Sequence, residues 1–146
     1  MRYTATVLLL LLCIVLPKAY FGHGESSSGP LLYHFTHAGW LHLAINFFFI
    51  LTFKPRLSTA AVAYIIATAL AFCPLLWRDM PTCGLSGMCF AMLARWDAPR
   101  RNPRWWLMLA NLALCLLPSF NGYIHIACYL TGYAIWKVFY AHKYAR

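Results

Sequence analysis

The sequence predicts an all-α membrane protein: one domain over residues 1–146, with six transmembrane helices in a compact bundle and a short re-entrant loop before the fourth. Three observations predict it. Of the 146 residues 62% are hydrophobic and 10% charged, with a mean hydropathy of +0.63, which leaves too little polar surface to cover a domain in water. The apolar residues fall into six runs divided by Pro, Gly and charge. Lys and Arg collect on one side of those runs. With the N-terminus inside, Arg2, Lys54, Arg56, Arg95, Arg100, Arg101, Arg104, Lys137, Lys143 and Arg146 lie at inner ends, and Lys18 and Arg78 outside, a strong positive-inside bias. The reading places the chain as a multi-pass protein in the bacterial inner membrane, both termini cytoplasmic, with the lipid bilayer as its surroundings. It also accounts for the net charge of +9 without a nucleic-acid partner.

The first run extends from Tyr3 to about Pro17. Arg2 followed by Leu8 to Leu12 also fits a secretory signal cleaved near Ala19, an alternative that stays open. Phe21 to Pro30, rich in Gly and Ser and carrying Glu25, reads as an exposed loop. The second run is Trp40 to Phe53, the third about Leu57 to Trp77, the fourth Gly84 to about Trp96, the fifth about Trp105 to Leu117, and the sixth Gly122 to about Tyr140. Several fall short of the ~20 apolar residues a span requires, so tilt or irregularity is expected. Between the fourth and fifth, Asp97 to Arg104 carries two prolines and reads as a turn held in water by its charges. The six cysteines show no paired ligand spacing, so no metal is implied and most read as small apolar fillers. Cys73 and Cys83 flank the re-entrant stretch and would pin it if an oxidising compartment joined them, free thiols being the commoner outcome.

Three polar constellations interrupt the apolar runs. Gly84-Leu85-Ser86-Gly87 opens the fourth, where Gly and Ser more often serve close packing than chemistry. His42 and Asn46, four apart, share one face of the second, with His37 five residues before His42. Polar groups there either hydrogen-bond between helices or act in a site. Two histidines five apart without an intervening Glu do not match a zinc protease. His125 lies early in the sixth run. The fourth and sixth runs point the same way, so Ser86 and His125 stand at similar depth and can meet if their helices are neighbours.

A serine hydroxyl needs a base, and a neutral imidazole is the usual one. The chain's carboxylates are Glu25, Asp79 and Asp97; Asp97 is on the wrong side and the other two belong to outer loops, so a Ser-His dyad is expected. Oxyanion donors of the right type are the side chains of the second run and the amides opening the fourth. From Gly84 to Trp96 the chain rises about 20 Å against a hydrocarbon core of about 30 Å. The serine therefore starts below the outer surface, and residues 78–83 dip inward.

In this order, on these three runs, the motifs resemble those of the rhomboid intramembrane serine proteases. The resemblance implies Ser86 as nucleophile and His125 as general base. It implies His42, Asn46 and the backbone near Leu85 as oxyanion donors, and His37, Gly84 and Phe90 as accessory residues. It also implies a serine-type endopeptidase that cleaves in or near transmembrane segments of other proteins, which enter between the second and fifth spans, with no cofactor or metal. Three departures stand out. Leu31-Leu32-Tyr33 occupies the stretch where many rhomboids carry a Trp-Arg pair, Cys128 replaces the first glycine of a Gly-x-x-x-Gly whose second is Gly132, and Phe90 replaces the tyrosine that usually stacks on the histidine. A rhombosortase-like trimming enzyme is a narrower form of the same chemistry. The alternative of another class is a catalytically inactive rhomboid-like protein that binds and guides membrane clients.

Overall fold

Proline and glycine cut this apolar sequence into short helices. The computed structural model describes residues 3–15, 28–76, 82–117 and 120–144. Among them α1 (Thr4–Val15) is followed by a single turn, α2 (Gly29–Leu32), which continues into a 3₁₀ turn at Tyr33–Phe35. Then come α3 (Trp40–Phe53), α4 (Leu57–Ala71), a 3₁₀ turn at Pro74–Leu76, α5 (Ser86–Asp97), α6 (Trp105–Leu114) and α7 (Gly122–Tyr144). Pro55 follows the left-handed Lys54 that ends α3, and Pro74 follows the end of α4, so neither helix can continue.

Helix α5 is the centre of the bundle. It packs most closely on α7, α4 lies against both, α3 joins α5, and α6 leans on α7. Small side chains make the α5–α7 seam possible. A Cβ at Gly132 would stand 3.0 Å from the Ala91 carbonyl oxygen and 3.1 Å from the Ala94 Cβ, and one at Gly87 would stand 3.3 Å from Cys128 Sγ. Cys128 is itself fully buried, so at this position a thiol fits a seam where glycine was expected. Ile50, Ala63, Ala67, Leu85, Met88 and Ala91 complete the surrounding core.

This architecture corrects the expectation of a six-span membrane bundle, and with it the inner-membrane placement. Among the described residues no single helix is both long and apolar enough to cross a membrane. The helices from α3 to α6 have 14, 15, 12 and 10 residues, rising about 15–23 Å against the ~30 Å of a hydrocarbon core. Helix α7, with 23 residues, has the length but not the apolarity. One bent pair, Gly29–Phe35 with Trp40–Phe53, has the length and composition only when its two arms, at 85°, are taken together. The apolar composition instead appears on the outside, where Trp40, Leu41, Phe48, Ile65, Leu109 and Phe139 are exposed.

Two smaller expectations also change. Gly29 and Pro30, assigned to an exposed loop, are buried in α2, where proline occupies the first turn. Cys73 and Cys83 are free thiols, the commoner of the two outcomes expected. The turn after α5 is anchored from within rather than held in water. Asp97 is fully buried; its carboxylate accepts from Arg104 Nε at 2.9 and 3.0 Å and from the Tyr129 hydroxyl at 2.9 Å. The backbone N–H of Arg104 donates to the same Tyr129 oxygen at 2.8 Å, and Arg100 pairs with Asp97 at 3.3 Å. One carboxylate thus ties the α5–α6 connection to α7. Arg2, Lys18, Glu25, Arg78, Asp79 and Arg146 lie outside the described residues.

Removing one partner of a buried, hydrogen-bonded pair leaves the others desolvated and uncompensated. Asp97→Ala is expected to lower unfolding free energy by about 3 kcal/mol, and Arg101→Ala in the same turn by less than about 0.5 kcal/mol. Equilibrium denaturation of the two variants checks this, and equal, small effects would contradict the anchor.

Candidate active site

The approach to Ser86 depends on a glycine. Gly84 has φ +102°, a left-handed conformation that side-chain-bearing residues rarely adopt, and its N–H donates to the Tyr33 carbonyl at 2.8 Å. A Cβ there would lie 2.6 Å from both Cε1 and Nε2 of His42 and 3.2 Å from Asn46 Nδ2. His42 and Asn46 of α3 are therefore seated over the backbone two residues before the serine. Tyr33 donates its own hydroxyl hydrogen bond to the Ala67 carbonyl at 3.3 Å, fixing the strut from which Gly84 hangs.

Ser86 opens α5 and faces α7. Its Oγ lies 2.7 Å from His125 Nε2, and His125 Nδ1 lies 3.0 Å from Asn111 Oδ1 of α6. Phe90, one turn after Ser86, stacks on the imidazole with centroids 4.7 Å apart and planes 10° from parallel. Phe120 meets the same ring edge-on at 5.0 Å. Two hydrogen bonds and two aromatic contacts thus fix the imidazole.

Beside the pair is a cavity of about 330 Å³ between α3 and α6, onto which Ser86, His125, Asn111, His42 and Asn46 all open. Its remaining wall is apolar, including Phe49, Phe53, Leu93, Leu107 and Leu114. Asn46 Nδ2 is buried without a hydrogen-bond partner among the described residues, an unusual state for an amide and one that a bound oxygen would relieve. Leu85, fully buried, caps α5 with no side-chain hydrogen bond, so the first-turn amides keep their donor capacity. His37 is placed differently. It packs edge-on behind His42 at 5.1 Å and lines a separate small cavity with Cys13, Ile14 and Trp40.

Burial favours the neutral form of the histidines here. Burial, helped by nearby His42, pushes His125 down to about 3, and burial lowers His42 as well. Burial followed by the repulsion of His42 takes His37 to about 4, and burial takes His34 to about 3. A neutral imidazole is the form able to accept a serine proton. Among the described residues no group of three or more His, Cys, Asp or Glu side chains could hold a metal.

Of the residues picked out in the sequence, the structure brings together Ser86, His125, His42, Asn46, Leu85, Gly84 and Phe90, and leaves His37 one layer behind. The residue missed is Asn111. Its signal was available: it is the lone amide or charged side chain among the ten residues of α6. Comparison with protein-family models, curated proteins and solved structures found no match for this chain.

Each depressed imidazole binds its proton more tightly in the unfolded chain. Stability from these groups is therefore complete above the ordinary histidine value of 6.5 and is lost as pH falls toward 3 or 4. Melting temperature is expected to hold between pH 8 and about 6.5 and to drop steadily below it. A melting temperature that rises on acidification would contradict the buried, neutral state of these rings.

Proposed function

We propose that the protein is a serine-type endopeptidase that hydrolyses peptide bonds in or near apolar, transmembrane-type segments of other proteins. The observation that carries the reading is the 2.7 Å contact of Ser86 Oγ with His125 Nε2, on a cavity with a buried, unpartnered amide donor at Asn46. Ser86 attacks the scissile carbonyl as His125 takes its proton. The oxyanion is met by Asn46 Nδ2, with His42 and the first-turn amides of α5 around it. His125 then gives the proton to the leaving amine, and water repeats the sequence on the acyl-enzyme.

The cavity walls support this substrate class. Phe49, Phe53, Leu93 and Leu107 offer an extended polar peptide little to bond with, and favour an apolar segment laid between α3 and α6. Likeness to rhomboid proteases belongs to this proposal and rests on the same residues: the serine and histidine on two abutting helices, the His-Asn pair on a third, and an aromatic ring stacked on the base. No observation favours the inactive client-binding alternative, since both members of the dyad are present and in contact.

Ser86→Ala and His125→Ala are each expected to abolish cleavage of a peptide substrate with a transmembrane-type sequence, and the double variant should be no worse, because base and nucleophile act as one unit. Asn46→Ala should lower the rate about 10- to 1000-fold, as loss of one oxyanion donor does. Phe90→Tyr keeps the stacked ring and should retain activity. Undiminished cleavage by either Ser86→Ala or His125→Ala would overturn the assignment.

A further inference from the structure

We infer that Asn111 is the positioning residue of a Ser-His-Asn triad built across three helices, holding His125 in the one tautomer that can act as a base. This rests on the proposed hydrolase reading of Ser86 and His125. The direction in which the Asn111 amide faces decides the tautomer. Its Nδ2 donates to the Leu107 carbonyl at 2.9 Å, a partner that can only accept. Reversing the amide would set oxygen against oxygen there, so Oδ1 is the atom that faces His125 Nδ1 at 3.0 Å. An amide oxygen also only accepts, so Nδ1 carries the ring proton. In a neutral imidazole Nε2 is then a bare acceptor, and the 2.7 Å contact with Ser86 is a hydroxyl donating to its base. The opposite tautomer would make Ser86 the acceptor and leave it inert.

Two further observations fit a built arrangement. Asn111 is buried at 3% exposure on a helix otherwise formed from Trp, Leu, Met and Ala, where an amide is costly unless it has partners on both ends. The start of α7 is also shaped around it. A Cβ at Gly122 would collide with the Asn111 carbonyl oxygen and lie 2.6 Å from Cys115 Sγ, so glycine allows α7 to come close to α6 one turn before His125. The serine comes from α5, the histidine from α7 and the asparagine from α6. The position of α6 thereby sets the orientation of the base.

The test reads the tautomer as well as the rate, in the full-length protein. Imidazole ¹⁵N shifts, with His125 assigned against His125→Gln, should show the Nδ1–H form in the unsubstituted protein. Asn111→Leu, or Asn111→Ala if the leucine variant does not fold, should move His125 toward the Nε2–H form and slow fluorophosphonate capture of Ser86 about 100-fold. Asn111→Asp keeps an acceptor toward Nδ1 and should keep the tautomer and most of the rate. The same His125 tautomer and the same capture rate in the unsubstituted protein and the leucine or alanine variant would overturn the positioning role. Absence of capture at Ser86 in the unsubstituted protein would instead sink the hydrolase reading, and the ¹⁵N shifts would still decide the role of Asn111.

Discussion

The close seam between α5 and α7 is the constraint on which the rest depends. Ser86 and His125 sit 39 residues apart in the chain, and a 2.7 Å contact between them requires the two helix backbones to approach with almost nothing between. Gly132 against Ala91 and Ala94, and Cys128 against Gly87, provide that approach. Around the seam the bundle is arranged to hold it. Helix α4 covers one side, and Tyr129 of α7 is tied through Asp97 and Arg104 to the far end of α5. The anchor is eleven residues from Ser86, about 16 Å along the helix. It fixes the register of the pair without taking part in the site.

The second feature is burial. A buried imidazole among Phe90 and Phe120 disfavours a second ring proton, and among the described residues no carboxylate is hydrogen-bonded to it. Asp97, at the far end of α5, is engaged by Arg100 and Arg104. What the imidazole has in place of a carboxylate is an amide. An asparagine orients without adding charge, a suitable partner in a cavity whose other walls are apolar. The same burial leaves the Asn46 amide without a hydrogen-bond partner among the described residues, which under the proposed hydrolysis suits it to receive an oxyanion.

Much of the site could be read in the chain. The limits of α3 at Trp40 and Phe53 followed from the residues around them, because Gly39 precedes the helix and Pro55 follows it. His42 and Asn46 on one face, Ser86 opening a helix and His125 early in another are consequences of helical period and helix direction. The membrane placement was not sound, for a physical reason. Hydrophobic composition measures how much apolar surface there is, while a span requires that surface to be continuous over one helix, and glycine and proline break it here after 10 to 15 residues. Helix α2 was hidden because Gly29 and Pro30 look like the end of a loop until Tyr33 is seen bracing Gly84. Asn111 stood out as the lone amide of α6, but its partner His125 becomes visible only once α6 is laid on α7. Asp97 looked solvated because sequence proximity to three arginines does not reveal that Tyr129 roofs it over.

The central claim is that Ser86 is an activated nucleophile, and the most direct measurement is tandem mass spectrometry of the intact protein after reaction with a fluorophosphonate. The account predicts a single phosphonylated peptide carrying the adduct on Ser86, formed much more slowly when His125 is replaced by alanine. An unmodified Ser86, or an adduct that forms equally fast without the imidazole, would contradict it.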